Sequence, residues 1–201
     1  LTAAALLARA GHRVTLLESS AELGGKSRRI HLGADRIDTG PSLMTFPAVW
    51  DELLRRLGDG ADAGAPERTR DAGHLDLVRM PEVGRYYHDG EETSLPVAPD
   101  HPWYPAWRRF SDLHAPLADD VTELLLADPL DRAALPALRR LLAVYGSRLT
   151  TRAYLDGLPW LPDGLREIIA IHTLNAGVSP ARTPALYASM PAIMAETGAW
   201  V

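Results

Sequence analysis

The hydrophobic pattern at the start of the chain changes from helical to strand-like within a few residues. Residues 1–10 are rich in Ala and Leu, and Gly11 stands where a left-handed cap would end a helix. Residues 13–19 follow with a near-continuous apolar run, which is typical of a buried parallel strand. A helix followed directly by such a strand is the second half of a βαβ unit, whose first strand we expect upstream of Leu1.

Short strands and one helix follow this unit. Alternation around Gly33 predicts a hairpin of residues 27–32 and 35–37. Pro47 near its first position and basic residues in its last turn predict a helix that begins at Phe46 or Pro47 and ends at Leu57. Beyond a predicted loop at 58–73, a small antiparallel sheet with an Asp89-Gly90 turn is predicted from strands at 75–80, 85–88 and 93–97.

From Trp103 onward the pattern becomes helical. Trp103, Trp107 and Phe110 share one helix face, which is either part of a core or an apolar surface for a lipid. Asp163 is a predicted N-cap, Thr183 is a second one, and Pro191 predicts a kink. Further helices are predicted at 117–126, 132–145, 148–155 and 164–175, with a last one that runs toward Glu196.

Composition limits the functions that these elements can serve. The 201 residues are 46% hydrophobic and 23% charged, as in a folded protein, and their net charge of −5 argues against a nucleic-acid partner. The chain has no Cys, which excludes thiolate chemistry, and its seven His residues lack the paired spacing of metal ligands. We find neither a membrane-spanning apolar run nor a secretory signal, and therefore expect a cytoplasmic protein.

Candidate binding chemistry is concentrated in residues 14–45. Glu18 ends the predicted strand, where its carboxylate could accept hydrogen bonds from the ribose hydroxyls of an adenosine. Gly24 and Gly25 would let backbone amides approach a pyrophosphate, and Lys26 adds a positive charge. A surface Glu and an ordinary turn explain the same residues, so each motif by itself leaves the choice open.

A second glycine turn follows the hairpin. Gly40 and Pro41 form a rigid turn with few side chains, which could lie against a flat ring system. Ser42, Leu43 and Met44 continue this segment toward the predicted helix. The order of carboxylate, glycine pair and Gly-Pro turn matches the layout of a flavin dinucleotide from adenosine to ring.

Together these motifs resemble the FAD-dependent carotenoid desaturases, which belong to the amine-oxidase-like flavoproteins. The matching segments are LLES followed by GGK, the DTGPSLMTFP turn, and the C-terminal AGVSP, PALY and ETGAW. The resemblance implies Glu18 on the adenosine ribose, Gly24, Gly25 and Lys26 near the pyrophosphate, and Gly40 to Met44 (with Pro41, Ser42 and Leu43) beside the flavin ring.

The resemblance also implies a fold and an activity. The fold class is α/β plus α+β: a partial Rossmann-like FAD-binding domain at 1–73 and a partial substrate domain at 74–201, with a β-meander followed by helices. The cofactor is FAD, the partner is a lipophilic polyene, and the reaction is desaturation by hydride transfer to the flavin. Peripheral membrane contact is implied as well, since carotenoids are insoluble in water.

Some assignments remain open at this level. His172 lies on an apolar helix, where it could be a catalytic base or a core residue. The family's glycine-rich turn and its C-terminal flavin segment lie outside this sequence, so we expect the chain by itself to bind FAD weakly and to be inactive. The alternatives are a carotenoid isomerase, a flavin amine oxidase, and a non-catalytic escort protein that binds prenyl lipids.

Overall fold

The computed structural model describes residues 1–58, 75–128 and 131–201, which form two compact units. Unit 1 comprises residues 1–78 and 200–201, and unit 2 comprises residues 79–199. The predicted loop at 58–73 lies, apart from Gly58, outside the described residues. Within the described part of the chain, no helix is long and apolar enough to cross a membrane.

Unit 1 begins with the predicted helix, α1 (Thr2–Arg9). Gly11 has a φ of +85°, and its N–H donates to the carbonyl of Ala8 at 3.0 Å. The N–H of His12 donates to the carbonyl of Leu7 at 3.0 Å. This pair of bonds is the Schellman motif, so the helix ends where Gly11 predicted.

The second helix of unit 1 is α2 (Pro47–Leu57), within one residue of the predicted bounds. Pro47 occupies the first turn, where its missing N–H costs no hydrogen bond. The Glu52 carboxylate accepts hydrogen bonds from Arg55 at 2.6 Å and from Arg56 at 2.7 Å, and these bonds lower its pKa to about 2. Gly58 ends the helix in a left-handed conformation, and α1 packs against α2.

Between α1 and α2 in the sequence, unit 1 contains a two-stranded hairpin. Strands β1 (Arg29–Leu32) and β2 (Asp35–Asp38) pair antiparallel, with Arg29 opposite Asp38 and Leu32 opposite Asp35. The predicted hairpin is therefore confirmed, with Gly33 in the turn at a φ of +64°.

The predicted buried strand at 13–19 is wrong. These residues form no strand, and the side chains of Leu16 and Leu17 are 49% and 89% exposed. A strand requires a neighbour to pair its backbone N–H and C=O groups, and no described segment pairs with residues 13–19. The apolar pattern is present, but within the described residues it has no sheet to join.

The predicted strand at 75–80 does not form as a continuous strand, and only single residues of this segment form backbone hydrogen bonds with another segment. In unit 1, Val78 and Val201 exchange N–H···O=C bonds of 2.8 and 3.0 Å. Met44 and Trp200 exchange a similar pair, at 2.8 and 3.0 Å. The chain at 200–201 thus joins two segments of unit 1 that are far apart in sequence.

Unit 2 begins with the second predicted hairpin, which is confirmed. Strands β3 (Gly84–His88) and β4 (Glu91–Leu95) pair antiparallel. Asp89 and Gly90 form the turn, with φ values of +51° and +85°. Both residues tolerate this left-handed geometry better than most, as the Asp-Gly signal predicted.

Helices make up most of the remainder of unit 2 and enclose its core. Trp107 and Phe110 are 2% and 0% exposed, so the aromatic face of the first of these helices belongs to the core and is no lipid surface. Leu155, Ile169 and Ile193 are also 0% exposed. The helices are α3 (Tyr104–His114), α4 (Ala118–Leu126), α5 (Leu135–Tyr145), α6 (Thr151–Asp156), α7 (Asp163–Ile171) and α8 (Met190–Thr197).

Three local predictions in unit 2 are wrong. Asp163 is the first residue of α7 and not its N-cap, which is Pro162. The residue before the following 3₁₀ turn is Pro184, and no side chain caps that turn, so Thr183 is not its N-cap; the Thr183 hydroxyl donates to the carbonyl of Ser179 at 2.8 Å instead. Pro191 lies in the first turn of α8 after a 3₁₀ turn, so it begins a helix and does not kink one.

Candidate functional site

The paired glycines of unit 1 form a turn with positive φ angles. Gly24 and Gly25 have φ values of +111° and +59°, and the N–H of Ser27 donates to the carbonyl of Gly24 at 3.0 Å. A Cβ atom on Gly25 would meet no heavy atom within 4 Å. The backbone at Gly25 is thus open, as an approaching phosphate would require.

Gly40 lies directly on the backbone of this turn. A Cβ atom at Gly40 would overlap the carbonyl of Lys26, so only glycine fits there. The N–H and the hydroxyl of Thr39 both donate to the carbonyl of Arg28, at 3.0 and 2.9 Å, which fixes the approach. The structure therefore brings together two motifs that are separated in sequence by the β1–β2 hairpin.

Glu18 is exposed and lies in an irregular segment. Its Oε1 atom accepts hydrogen bonds from the N–H of Ser20 at 2.8 Å and from the Ser20 hydroxyl at 3.0 Å, with the Ser19 hydroxyl at 3.5 Å. The backbone bond from Ser20 is the main cause that lowers the pKa of Glu18. All three bonds reach Oε1, and within the described residues no bond brings Glu18 to the glycine turn.

The segment after Gly40 is extended and partly exposed. Pro41, Ser42 and Leu43 lie on the surface, whereas Met44 is half-buried and pairs with Trp200. The sequence indicates no partner for Met44, because Met44 and Trp200 lie far apart in the chain. The ETGAW segment that contains Trp200 was identified only as one of the segments that carry the family resemblance.

Unit 2 contains a buried His–Tyr pair whose hydrogen bonds are complete. Nδ1 of His114 donates to the Phe110 carbonyl at 2.7 Å, so Nε2 accepts from the Tyr154 hydroxyl at 2.8 Å. Burial lowers the pKa of His114 to about 4. The Tyr145 ring packs edge-on against Tyr154, and its hydroxyl bonds to Ser189. This network is a polar part of the core.

His172 forms a second pair, which is incomplete. Its Nε2 lies 2.8 Å from the Tyr86 hydroxyl, and its Nδ1 is buried without a hydrogen-bond partner among the described residues. Burial lowers the pKa of His172 to about 4 and raises that of Tyr86 to about 12. Sequence reasoning identified His172 but not Tyr86, because the two residues lie 86 positions apart.

Comparison with known proteins shows what this chain is similar to. Residues 1–57 match the family model of an NAD(P)-binding Rossmann-like domain. The hydroxyneurosporene desaturase of Cereibacter sphaeroides is 32% identical over 151 residues, which cover 69% of this chain and 28% of that enzyme. The chain is thus similar to a carotenoid desaturase over about two thirds of its own length. The dinucleotide-binding class predicted for unit 1 is thereby confirmed, although the strand at 13–19 is not formed.

Two further relatives match almost the whole chain. The phytoene dehydrogenase of Streptomyces griseus is 30% identical over 94% of this chain. The phytoene desaturase of Cercospora nicotianae is 27% identical over 98% of it. The chain spans only 38% and 32% of the lengths of these two relatives.

Proposed function

We propose that this chain is part of an FAD-dependent oxidoreductase that desaturates a carotenoid or a carotenoid precursor. The observation that carries the proposal is the contact of Gly40 with the backbone of Lys26, beside the open Gly24–Gly25 turn. This contact brings the two glycine motifs together. We call the candidate binding residues of unit 1, which are Glu18, residues 24–26 and residues 40–44, the cradle. The chain that contains them is similar to a hydroxyneurosporene desaturase and a phytoene dehydrogenase. Because those relatives are desaturases or dehydrogenases, they favour this activity over an amine oxidase or an escort protein.

The residues of unit 1 fit a flavin dinucleotide. Glu18 uses only Oε1 in the hydrogen bonds formed within the described residues, which leaves Oε2 to accept from a ribose hydroxyl. The backbone at Gly25 has no side chain within reach, and Lys26 is exposed beside it. The extended segment from Gly40 to Met44 would supply the surface beside the ring.

Each part of the cradle would have a separate task. Glu18 orients the adenosine, and its carboxylate disfavours a 2′-phosphate at the same ribose. The amides of the glycine turn and the Lys26 ammonium neutralise the pyrophosphate. Desaturation would remove a hydride from one carbon of the polyene and a proton from the neighbouring carbon, so that a double bond forms between them, and a bound flavin would supply the two-electron oxidant that takes the hydride. The protein thereby supplies binding and orientation, whereas the cofactor supplies the oxidising power.

The test is to express the complete coding sequence in cells that make a colourless carotenoid precursor. We expect a longer-wavelength pigment absorbance to develop, together with flavin in the purified protein. Glu18→Ala should weaken FAD binding by about 10- to 100-fold, since a hydrogen bond to a charged group is lost. Glu22→Ala is the matched control, because Glu22 is an exposed acid in the same segment.

Three outcomes of this experiment have different meanings. Unchanged pigment absorbance with bound flavin would exclude the desaturase and favour an isomerase. Protein that binds a prenyl lipid but no flavin would favour the escort alternative. Equal FAD affinity in the Glu18→Ala and Glu22→Ala variants would contradict the role of Glu18.

We further propose that the protein contacts membranes peripherally through the outer face of α5. Leu135, Leu138 and Leu142 lie on this face and are 44%, 41% and 51% exposed, while Ala137 and Leu141 face the core. A helix that is apolar on both faces is unusual at a protein surface. Leu142→Glu should reduce cosedimentation with anionic phospholipid vesicles, whereas Leu149→Glu, at a 77% exposed position outside the helix, should not. Equal cosedimentation of the two variants would contradict this assignment.

A further inference from the structure

Unit 2 contains an open pocket of about 360 Å³ beside the C-terminal end of α8. Residues 79–83 line this pocket, together with the C-terminal end of α8 and Pro96, the residue that follows β4. Most of the side chains that line it are apolar: Met80, Pro81, Val83, Pro96, Met194 and Ala195. We call this cavity the α8 pocket.

Backbone N–H groups that line the α8 pocket already donate hydrogen bonds within unit 2. The N–H of Met80 donates to the carbonyl of Ala199 at 2.8 Å, and the N–H of Val83 donates to that of Leu95 at 2.7 Å. Pro81 has no N–H to present. These three positions therefore offer no free N–H to a ligand, while polar atoms of other lining residues, Arg79 and Glu82 among them, remain accessible in the pocket.

The two charged residues of the α8 pocket are also engaged. Arg79 donates to the carbonyl of Glu196 at 2.9 Å. Glu82 accepts from the Ser94 hydroxyl at 2.6 Å and lies 3.3 Å from the Arg85 guanidinium. The Ser94 bond is the main cause that lowers the pKa of Glu82. Arg79 and Glu82 carry opposite charges, so the pocket has no net charge that favours an ionic ligand, and a neutral ligand would leave these internal contacts intact.

We propose that the α8 pocket binds the neutral isoprenoid end of the polyene substrate. The pocket volume is near the lower end of the range for small-molecule sites, about 300–1,000 Å³, so it suits one end of a long chain. Two flexible methionine side chains, Met80 and Met194, can adapt to a branched apolar group. This assignment rests on the proposed desaturase function.

Methionine methyl resonances provide a direct test, because the four methionines of the chain differ in position. Met80 and Met194 line the α8 pocket, whereas Met190 lies one turn earlier on α8 and Met44 is in unit 1. The protein is labelled with ¹³C at the methionine methyl groups, assigned through Met→Leu variants and titrated with geraniol. Geraniol is a neutral acyclic isoprenoid, and geranic acid is its anionic counterpart of similar shape.

We expect geraniol to shift the Met80 and Met194 resonances in a saturable manner and to leave those of Met190 and Met44 unchanged. Geranic acid, titrated above its pKa, should bind at least about tenfold more weakly. Ala195→Phe fills the α8 pocket and should weaken geraniol binding about tenfold or more, whereas Ala153→Phe, at an exposed position of α6, should not. Thermal unfolding of both variants shows whether Ala195→Phe remains folded.

Several results would overturn the proposal. Equal shifts at all four methionines would indicate non-specific binding, and tighter binding of geranic acid would indicate an anion site at Arg79. Desaturation by the complete protein without geraniol shifts would refute the pocket assignment alone. Geraniol shifts without flavin binding or desaturation would refute the proposed function, and with it the assignment of the ligand as substrate.

Discussion

The two units of the chain hold their functional residues in different ways. No described side chain of unit 1 is fully buried, whereas unit 2 encloses Phe110, Leu155 and Ile193 at 0% exposure. The cradle of unit 1 therefore depends on backbone conformation, glycine contacts and hydrogen bonds. The pocket of unit 2 depends on helices that pack around a core. We expect substitutions in the two units to affect stability and ligand binding separately.

The largest expected difference concerns the core of unit 2. Phe110 is fully buried and stacks on His114 with the ring centroids 3.9 Å apart. Phe110→Ala should lower the free energy of unfolding by about 3–5 kcal/mol, because it removes buried area and leaves a cavity. Leu17→Ala in unit 1 changes a side chain that is 89% exposed and should cost less than about 0.5 kcal/mol. Urea unfolding followed by circular dichroism measures both values, and similar losses would contradict the comparison.

Acid should destabilise unit 2 through its two buried histidines. His114 and His172 have pKa values lowered to about 4, whereas an unfolded chain has about 6.5. Protonation therefore favours the unfolded state, so stability is complete above pH 6.5 and falls as the pH drops from 6.5 to 4. Each histidine should contribute on the order of 3 kcal/mol to this loss.

Substitution of one histidine tests this pH dependence. His172→Asn keeps a polar group opposite Tyr86 but cannot titrate, so it should remove about half of the stability change between pH 6.5 and 4. Urea unfolding at several pH values measures the slope in the variant and in the parent chain. An unchanged slope would show that His172 does not titrate in this way.

The sequence predicts those elements of both units that depend on local signals. Gly11 ended α1, Pro47 began α2, and Asp89-Gly90 formed the turn of the β3–β4 hairpin, because each signal acts within a few residues. The prediction of a strand at 13–19 is wrong, because an apolar pattern does not by itself provide a neighbouring strand for backbone pairing. Thr183 is not a cap because the following 3₁₀ turn begins one residue later, after Pro184, and the Thr183 hydroxyl bonds back to the carbonyl of Ser179.

The candidate sites show the same limit. Spacing identified the Gly24–Gly25 pair and the Gly40 turn as two successive motifs, but only the structure shows that Gly40 lies on the Lys26 carbonyl. The α8 pocket combines residues near 80 with residues near 195, and no local pattern connects them. Sequence periodicity indicates which side chains are buried. The prediction of a site also requires knowing which distant segments come into contact.

The most local effect should come from the glycine cradle. A Cβ at Gly40 would overlap the Lys26 carbonyl, whereas a Cβ at Gly25 would meet nothing and suffer only from its φ of +59°. Gly40→Ala must separate the two glycine motifs, so FAD affinity of the complete protein should fall at least about tenfold. Gly25→Ala should cost about 1–2 kcal/mol of backbone strain and affect FAD less. Because both residues lie in unit 1, both variants should keep the parent's thermal midpoint for unit 2. Flavin fluorescence titration and calorimetry measure the two quantities, and a large fall in this midpoint would show that the cradle and the core are not independent.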